Sequence, residues 1–280
     1  MDLAQMAVVL VAGVLAGAVN TIVGAGTLLT FPLLVALGYP PLTANVSNTV
    51  GLVPAAVTGA WGYRRELSGL WPTVARMAAL SAVGGVLGGL LLLVGSDQAF
   101  TAVVPWLLVL AAVLAGIQPR VAAALRRRSA DRAAVPAGRA TTAATDPATA
   151  ASGLHPGVNP LRHLSVGLAL GITATGVYGG YFGAAQGVVL LALLGIAWTT
   201  DLQRANGAKN VLAGTANLVS AVVFVISGEV DWQVAGLIAI GSAGGGILGA
   251  KVGRRIPAGM LRALIVVVAL AAAVLIAIDG

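Results

Sequence analysis

Gly26, Asn45, Trp71, Gly84, Gly85 and Gly88 return in kind 161 positions later, as Gly187, Asn206, Trp232, Gly245, Gly246 and Gly249. An offset held across this much apolar sequence means that the chain was built twice from one unit. Both copies must therefore adopt the same fold and pack against each other. In membrane proteins such a duplication is the usual build of a transporter, with its site where the copies meet.

Composition places the chain in lipid. Hydrophobic residues make up 58% and charged residues 9%, against roughly 25% charged in a soluble domain, and the mean hydropathy is +0.96. The expected partner is the bilayer, spanned by helices. Backbone groups in hydrocarbon must be satisfied within the segment, and the alternating pattern of a porin strand is absent. With no cysteine, neither a disulfide framework nor a thiolate metal site can be built. The net charge of +7 does not indicate nucleic acid, because the arginines lie in loops where membrane orientation explains them.

A span of about 20 helical residues crosses a bilayer, and the apolar runs predict helices over 4–22, 27–37, 43–63, 77–94 and 99–117, then 163–180, 187–198, 206–226, 233–250 and 260–278. The first run continues to about residue 37 without a basic start, so it is expected to be retained rather than cleaved as a signal. The second segment of each half is short and follows a glycine-rich break. The expected organisation is a first transmembrane repeat over 1–117, a linker over 118–161 and a second repeat over 162–280. The linker holds Arg120, Arg126, Arg127, Arg128, Arg132 and Arg139 among Ala, Thr, Pro and Gly. That composition predicts a mobile cytoplasmic stretch, with too little apolar surface to offset its ordering entropy.

Five spans on each side of the linker put every Lys and Arg except Lys209 on one face, and Asp2, Asp97, Glu229, Asp231 and Asp279 on the other. By the positive-inside rule the basic face is cytoplasmic and both termini are outside. Equivalent loops carry opposite charge. Arg64-Arg65 answers Gly228-Glu229-Val230-Asp231, and Ser96-Asp97 answers Lys251 to Arg255. The two repeats are therefore expected to be inverted. Four spans per half would make them parallel and put arginine and acid in the wrong compartments.

Inverted repeats place substrate near the midplane, where broken helices turn their ends toward it. The breaks Gly24-Ala25-Gly26 and Gly183 to Gly187 are expected to expose unpaired N–H groups at the starts of the short helices, where about half a positive charge accepts an anion. Close helix packing is the competing use of these glycines, and for the two breaks both readings stay open. Gly84, Gly85, Gly88 and Gly89 are read as packing residues. A polar cluster follows each short helix: Asn45, Asn48 and Thr49 share one helical face, as do Asn206, Lys209 and Asn210. Lys209 is the sharpest signal, since a charge inside a span marks a substrate or ion pathway. Its alternative is a lysine snorkelling to the cytoplasmic surface. Asn20, Gln186, Thr215 and Asn217 extend the same polar lining.

The stretch Gly17-Ala-Val-Asn20-Thr-Ile-Val-Gly24-Ala-Gly26-Thr-Leu-Leu-Thr-Phe-Pro32-Leu-Leu, with Ala44-Asn45-Val-Ser-Asn48-Thr49 after it, closely resembles the sulfite exporter TauE/SafE family, also called the TSUP permeases. Gly179-Gly180-Tyr181-Phe182-Gly183-Ala-Ala-Gln186-Gly187 and Asn206 to Asn210 resemble its bacterial branch. The resemblance implies a permease of the plasma (inner) membrane for sulfur-containing anions such as sulfite or organosulfonates, commonly in the export direction. The chain departs from it at position 193, where Leu answers Pro32, and at Lys209-Asn210, which replaces Asn48-Thr49.

An enzyme is not expected. The two histidines, His155 and His163, lie in or beside the linker, so no intramembrane dyad or zinc site can be assembled from them. No cofactor is expected. The reading is a secondary transporter of a small sulfur-containing anion, and a coupling proton or cation and a homodimer are both compatible with it. An anion channel, an importer of the same substrates and a non-transporting membrane scaffold are the alternatives.

Overall fold

The computed structural model describes residues 1–133 and 164–252, together with Val267 and Val274. Among them lie nine helices and no strand: α1 Leu3–Ile22, α2 Thr27–Ala36, α3 Pro41–Gly62, α4 Trp71–Val94, α5 Asp97–Ala133, α6 Val166–Tyr181, α7 Gln186–Ala197, α8 Leu202–Ser227 and α9 Trp232–Val252. Five of these, α1, α4, α5, α8 and α9, are long and apolar enough to cross a membrane. With 10 and 12 residues, α2 and α7 rise about 15–18 Å, half of a hydrocarbon core about 30 Å thick. They are half-helices. The chain is a polytopic membrane protein with its polarity turned inward: Leu87, Leu91, Trp106, Ile226 and Ile240 face outward, while Asn45, Ser47, Asn48, Gln186 and Lys209 are buried.

Boundaries differ from expectation at the starts of α4 and α8, found at Trp71 and Leu202 rather than 77 and 206, and most at the end of α5. α5 runs on through residues 118–133, the first part of the expected linker. Ala122, Ala123, Ala124 and the arginines beyond are strong helix formers, so a helix already nucleated by the apolar stretch propagates through them. Leu125 anchors the extension by burying its side chain against Gly195 of α7. The rest of the linker and the span expected at 260–278 lie outside the described residues.

Helix directions follow from which residues meet. Leu10, Val14 and Ala18 of α1 oppose Gly241, Gly245 and Gly249 of α9, so the two run parallel. Thr173 and Val177 of α6 oppose Gly84 and Gly88 of α4 in the same way. α3 is parallel to α9 through Gly51–Ile238 and Gly62–Ala250, and α4 is parallel to α8 through Gly85–Ala216 and Gly89–Ser220. Between α3 and α8 the order reverses, with Tyr63 on Gly207 and Ala56 on Gly214. Helices α1, α3 and α9 thus point one way and α4, α6 and α8 the other. Every first-half helix in these seams is opposed in direction to its second-half equivalent, which is an inverted repeat.

The register of the repeat also needs a correction. α1 and α6 end alike: the N–H groups of Val23 and Gly24 both reach Val19 O, and those of Phe182 and Gly183 both reach Tyr178 O. Gly24 and Gly183 adopt the left-handed conformation that closes such an end, with φ of +84° and +73°. At the breaks the copies therefore correspond at an offset of 159, and Gly26 answers Ala185 rather than Gly187. The two extra residues lie in α7, after which the offset of 161 resumes.

The seams are packed backbone to backbone. A Cβ at Gly84 would overlap Thr173 O, and one at Gly245 would overlap Val14 O, the equivalent contact in the other half. Gly84→Ala and Gly245→Ala are each expected to destabilise the protein by about 1–3 kcal/mol through overpacking. Gly236→Ala, which meets nothing within 4 Å, should be neutral or slightly stabilising, with thermal unfolding in detergent ranking the three. Ala185 holds φ of +58°, a conformation costing a residue with a Cβ about 1–2 kcal/mol. Ala185→Gly is expected to raise stability by about 1 kcal/mol in the same assay, part of the relief being lost to glycine's freer unfolded chain.

Candidate functional site

α1 and α6 each end inside the protein, and the last carbonyls of a helix have no partner within it. In hydrocarbon those oxygens require donors from elsewhere. Each repeat takes them from the third helix of the other. Asn45 on α3 donates Nδ2–H to Tyr181 O at the end of α6 (3.0 Å). Lys209 on α8 donates from Nζ to Thr21 O at the end of α1 (3.2 Å), and Asn210 Nδ2 approaches the same oxygen at 3.4 Å.

Lys209 has none of its surface exposed, so it does not snorkel. Its stem passes Gly187, where a Cβ would lie 3.2 Å from Lys209 Cδ. The ammonium faces the C-terminal end of α1, where the helix dipole is negative. Thr21 O is its hydrogen-bond partner among the described residues, although an ammonium carries three donors. Lys209 makes no ion pair among the described residues. A nearby ion pair joins Arg204 to Asp201 (3.6 Å), next to the backbone N–H groups that Asp201 caps at the start of α8.

Gly24 and Gly187 meet at this point across the repeats, the N–H of Gly187 donating to Gly24 O at 3.2 Å. A side chain on either would overlap the other's backbone. The helix starts are not the open anion cradles expected from the glycines. At α7 the N–H groups of Gln186, Gly187 and Val188 reach Gly183 O, Gly24 O and Ala185 O, and at α2 those of Leu28 and Leu29 reach Ala25 O and Gly26 O. Tight turns, and for Gly187 the contact with Gly24, engage these five donors. The free cationic donor capacity of the junction lies on Lys209.

The remaining expected residues divide. Asn48 stays within its own repeat, donating to Thr27 Oγ1 (3.3 Å) and accepting from Thr30, and Thr49 turns its hydroxyl back to Asn45 O (2.9 Å). Gln186 folds over Gly179 and donates to Thr175 O (3.2 Å). Gly183 is the left-handed end of α6, and Gly26 packs on Asn20 and Ala16. Two buried amide oxygens, Asn45 Oδ1 and its repeat equivalent Asn206 Oδ1, have no hydrogen-bond partner among the described residues. Sequence reasoning missed Thr21 and Tyr181, which enter through backbone carbonyls and so leave no mark in side-chain type. It also missed the edge-to-face aromatic wall of Phe31, Phe182, Phe100 and Tyr181 beside Asn45.

Comparison with known proteins agrees with this architecture. A "Probable membrane transporter protein ORF9" of Sinorhizobium sp is 26% identical over 279 residues, covering 98% of this chain and 93% of the relative. A "Probable membrane transporter protein" of Haemophilus influenzae is 23% identical over 250 residues, covering 88% and 84%. No solved structure matches. The sulfite exporter TauE/SafE family is matched over residues 9–276, nearly the whole chain, and the protein belongs to that family.

Proposed function

We propose that this membrane transporter is a secondary carrier that exports a small sulfur-containing anion, sulfite or an organosulfonate, across the bacterial inner membrane. The basic loops would face the cytoplasm. The observation that carries the reading is Lys209: a fully buried cation between the repeats, bonded to one carbonyl and to no carboxylate among the described residues. A buried charge is costly unless it is paired, and an anion supplies the missing countercharge. Family membership and the names of the relatives support transport as such.

The same geometry supplies a coupling between binding and movement. Thr21 O is held by Lys209 and Asn210 and so ties α1 to α8. An anion carries a full charge where a carbonyl carries a partial one, so it outcompetes Thr21 O for the ammonium and frees the end of α1. Loss of that tie loosens one repeat from the other, the rigid-body motion by which inverted repeats alternate access. Asn45 and Tyr181 O make the matching tie at the other end of the pseudo-symmetry.

The test is flux in proteoliposomes. Wild type should show saturable sulfite or sulfonate uptake with counterflow, and Lys209→Met should lower it by more than about tenfold, since losing a buried charge contact costs about 2 kcal/mol or more. Unchanged flux with lowered stability would make Lys209 structural glue. Conductance without counterflow would make the protein a channel, and absence of flux for every sulfur anion tried would end the reading.

A further inference from the structure

A groove of about 540 Å³ lies along the seam between α3 and α8. Val57 and Trp61 line it from one turn to the next on α3, Arg64 joins them from the turn just after that helix, and Val211, Thr215 and Leu218 line it on α8. Its outer rim is exposed, Val57 to 60% and Leu218 to 47%. Its back is closed where Gly214 lets α8 rest on Ala56, and Asn210 forms part of the inner wall. One residue of the lining is charged. Arg64 stands at the loop end of the groove, its guanidinium 4.4 Å over the Trp61 ring and its Nη1 donating to Trp61 O at 2.9 Å.

We propose that this groove binds an anionic phospholipid, with the phosphate on Arg64 and one acyl chain lying along Val57, Gly214 and Leu218. Val57 lies about 8 Å along α3 inward of its end at Gly62, within the depth of the acyl region, so a bare small anion there would face hydrocarbon. An acyl chain would not. Trp61 and Trp71, both exposed, mark the headgroup level, where tryptophan collects. Arginine with no acid in the lining selects negative headgroups over zwitterionic ones. A second copy docked symmetrically on the same groove would bring Arg64 against Arg64. The bound chain would lie across the seam between the two repeats, beside Asn210 and the tie to Thr21.

The full-length protein in nanodiscs of phosphatidylglycerol and phosphatidylcholine, mixed equally and with identical chains, provides the test by native mass spectrometry. Wild type should retain phosphatidylglycerol over phosphatidylcholine by about fivefold, the preference expected of one arginine at an anionic surface. Arg64→Gln should bring the ratio near one, and Val57→Trp, which fills the groove from its exposed rim, should abolish retention of both lipids. Equal retention by wild type, an unchanged ratio in Arg64→Gln, or persistent retention in Val57→Trp would overturn the assignment. So would displacement of the lipid by millimolar sulfite, which would make the groove a substrate portal, or a lipid-free dimer closing over it.

Discussion

Two helices end in the interior of this protein, and a helix end in lipid must find donors for its last carbonyls. Much of the architecture answers that requirement. α1 and α6 stop at left-handed glycines, and their terminal oxygens are taken by Lys209 and Asn210 in one case and by Asn45 in the other. Because each donor sits on the opposite repeat, the halves cannot separate without exposing carbonyls. The same bonds that complete the fold hold the two repeats together.

The glycine seams make those bonds reachable. Gly84 and Gly88 bring α4 against the backbone of α6, and Gly245 and Gly249 bring α9 against α1, with matching contacts in the two halves. Since apolar side chains gain little from one another in a solvent as apolar as themselves, helix association in lipid depends on close van der Waals contact, for which small residues are required. The exchange of partners, with the fourth helix of each half packing on the first of the other, interleaves the repeats around the Gly24–Gly187 contact.

Lys209 differs from the surrounding amides in carrying charge. An asparagine at that depth is neutral and can place its N–H on a carbonyl, as Asn45 Nδ2 does on Tyr181 O, whereas an ammonium keeps donors and a full charge that a single carbonyl does not balance. The repeat-equivalent residue in the first half is Asn48, which bonds to Thr27 and Thr30 within its own repeat. The duplication is thus symmetric in backbone and asymmetric in charge, and the proposed anion site rests on that asymmetry.

Charge and apolarity along the chain were enough to determine the order of the nine described helices, the inversion of the repeats and the breaks at Gly24 and Gly183, though not the end of α5, because crossing a bilayer and orienting in it depend on local composition. Only the tertiary structure decided that several helix-start N–H groups are engaged by turns or by Gly24 O, that the copies correspond at 159 through the breaks, and that Lys209 is buried against Thr21 O. A backbone carbonyl is the same in every residue, and one apolar residue in a half-helix reads much like the next. Which of them meet across the repeats is settled by packing alone.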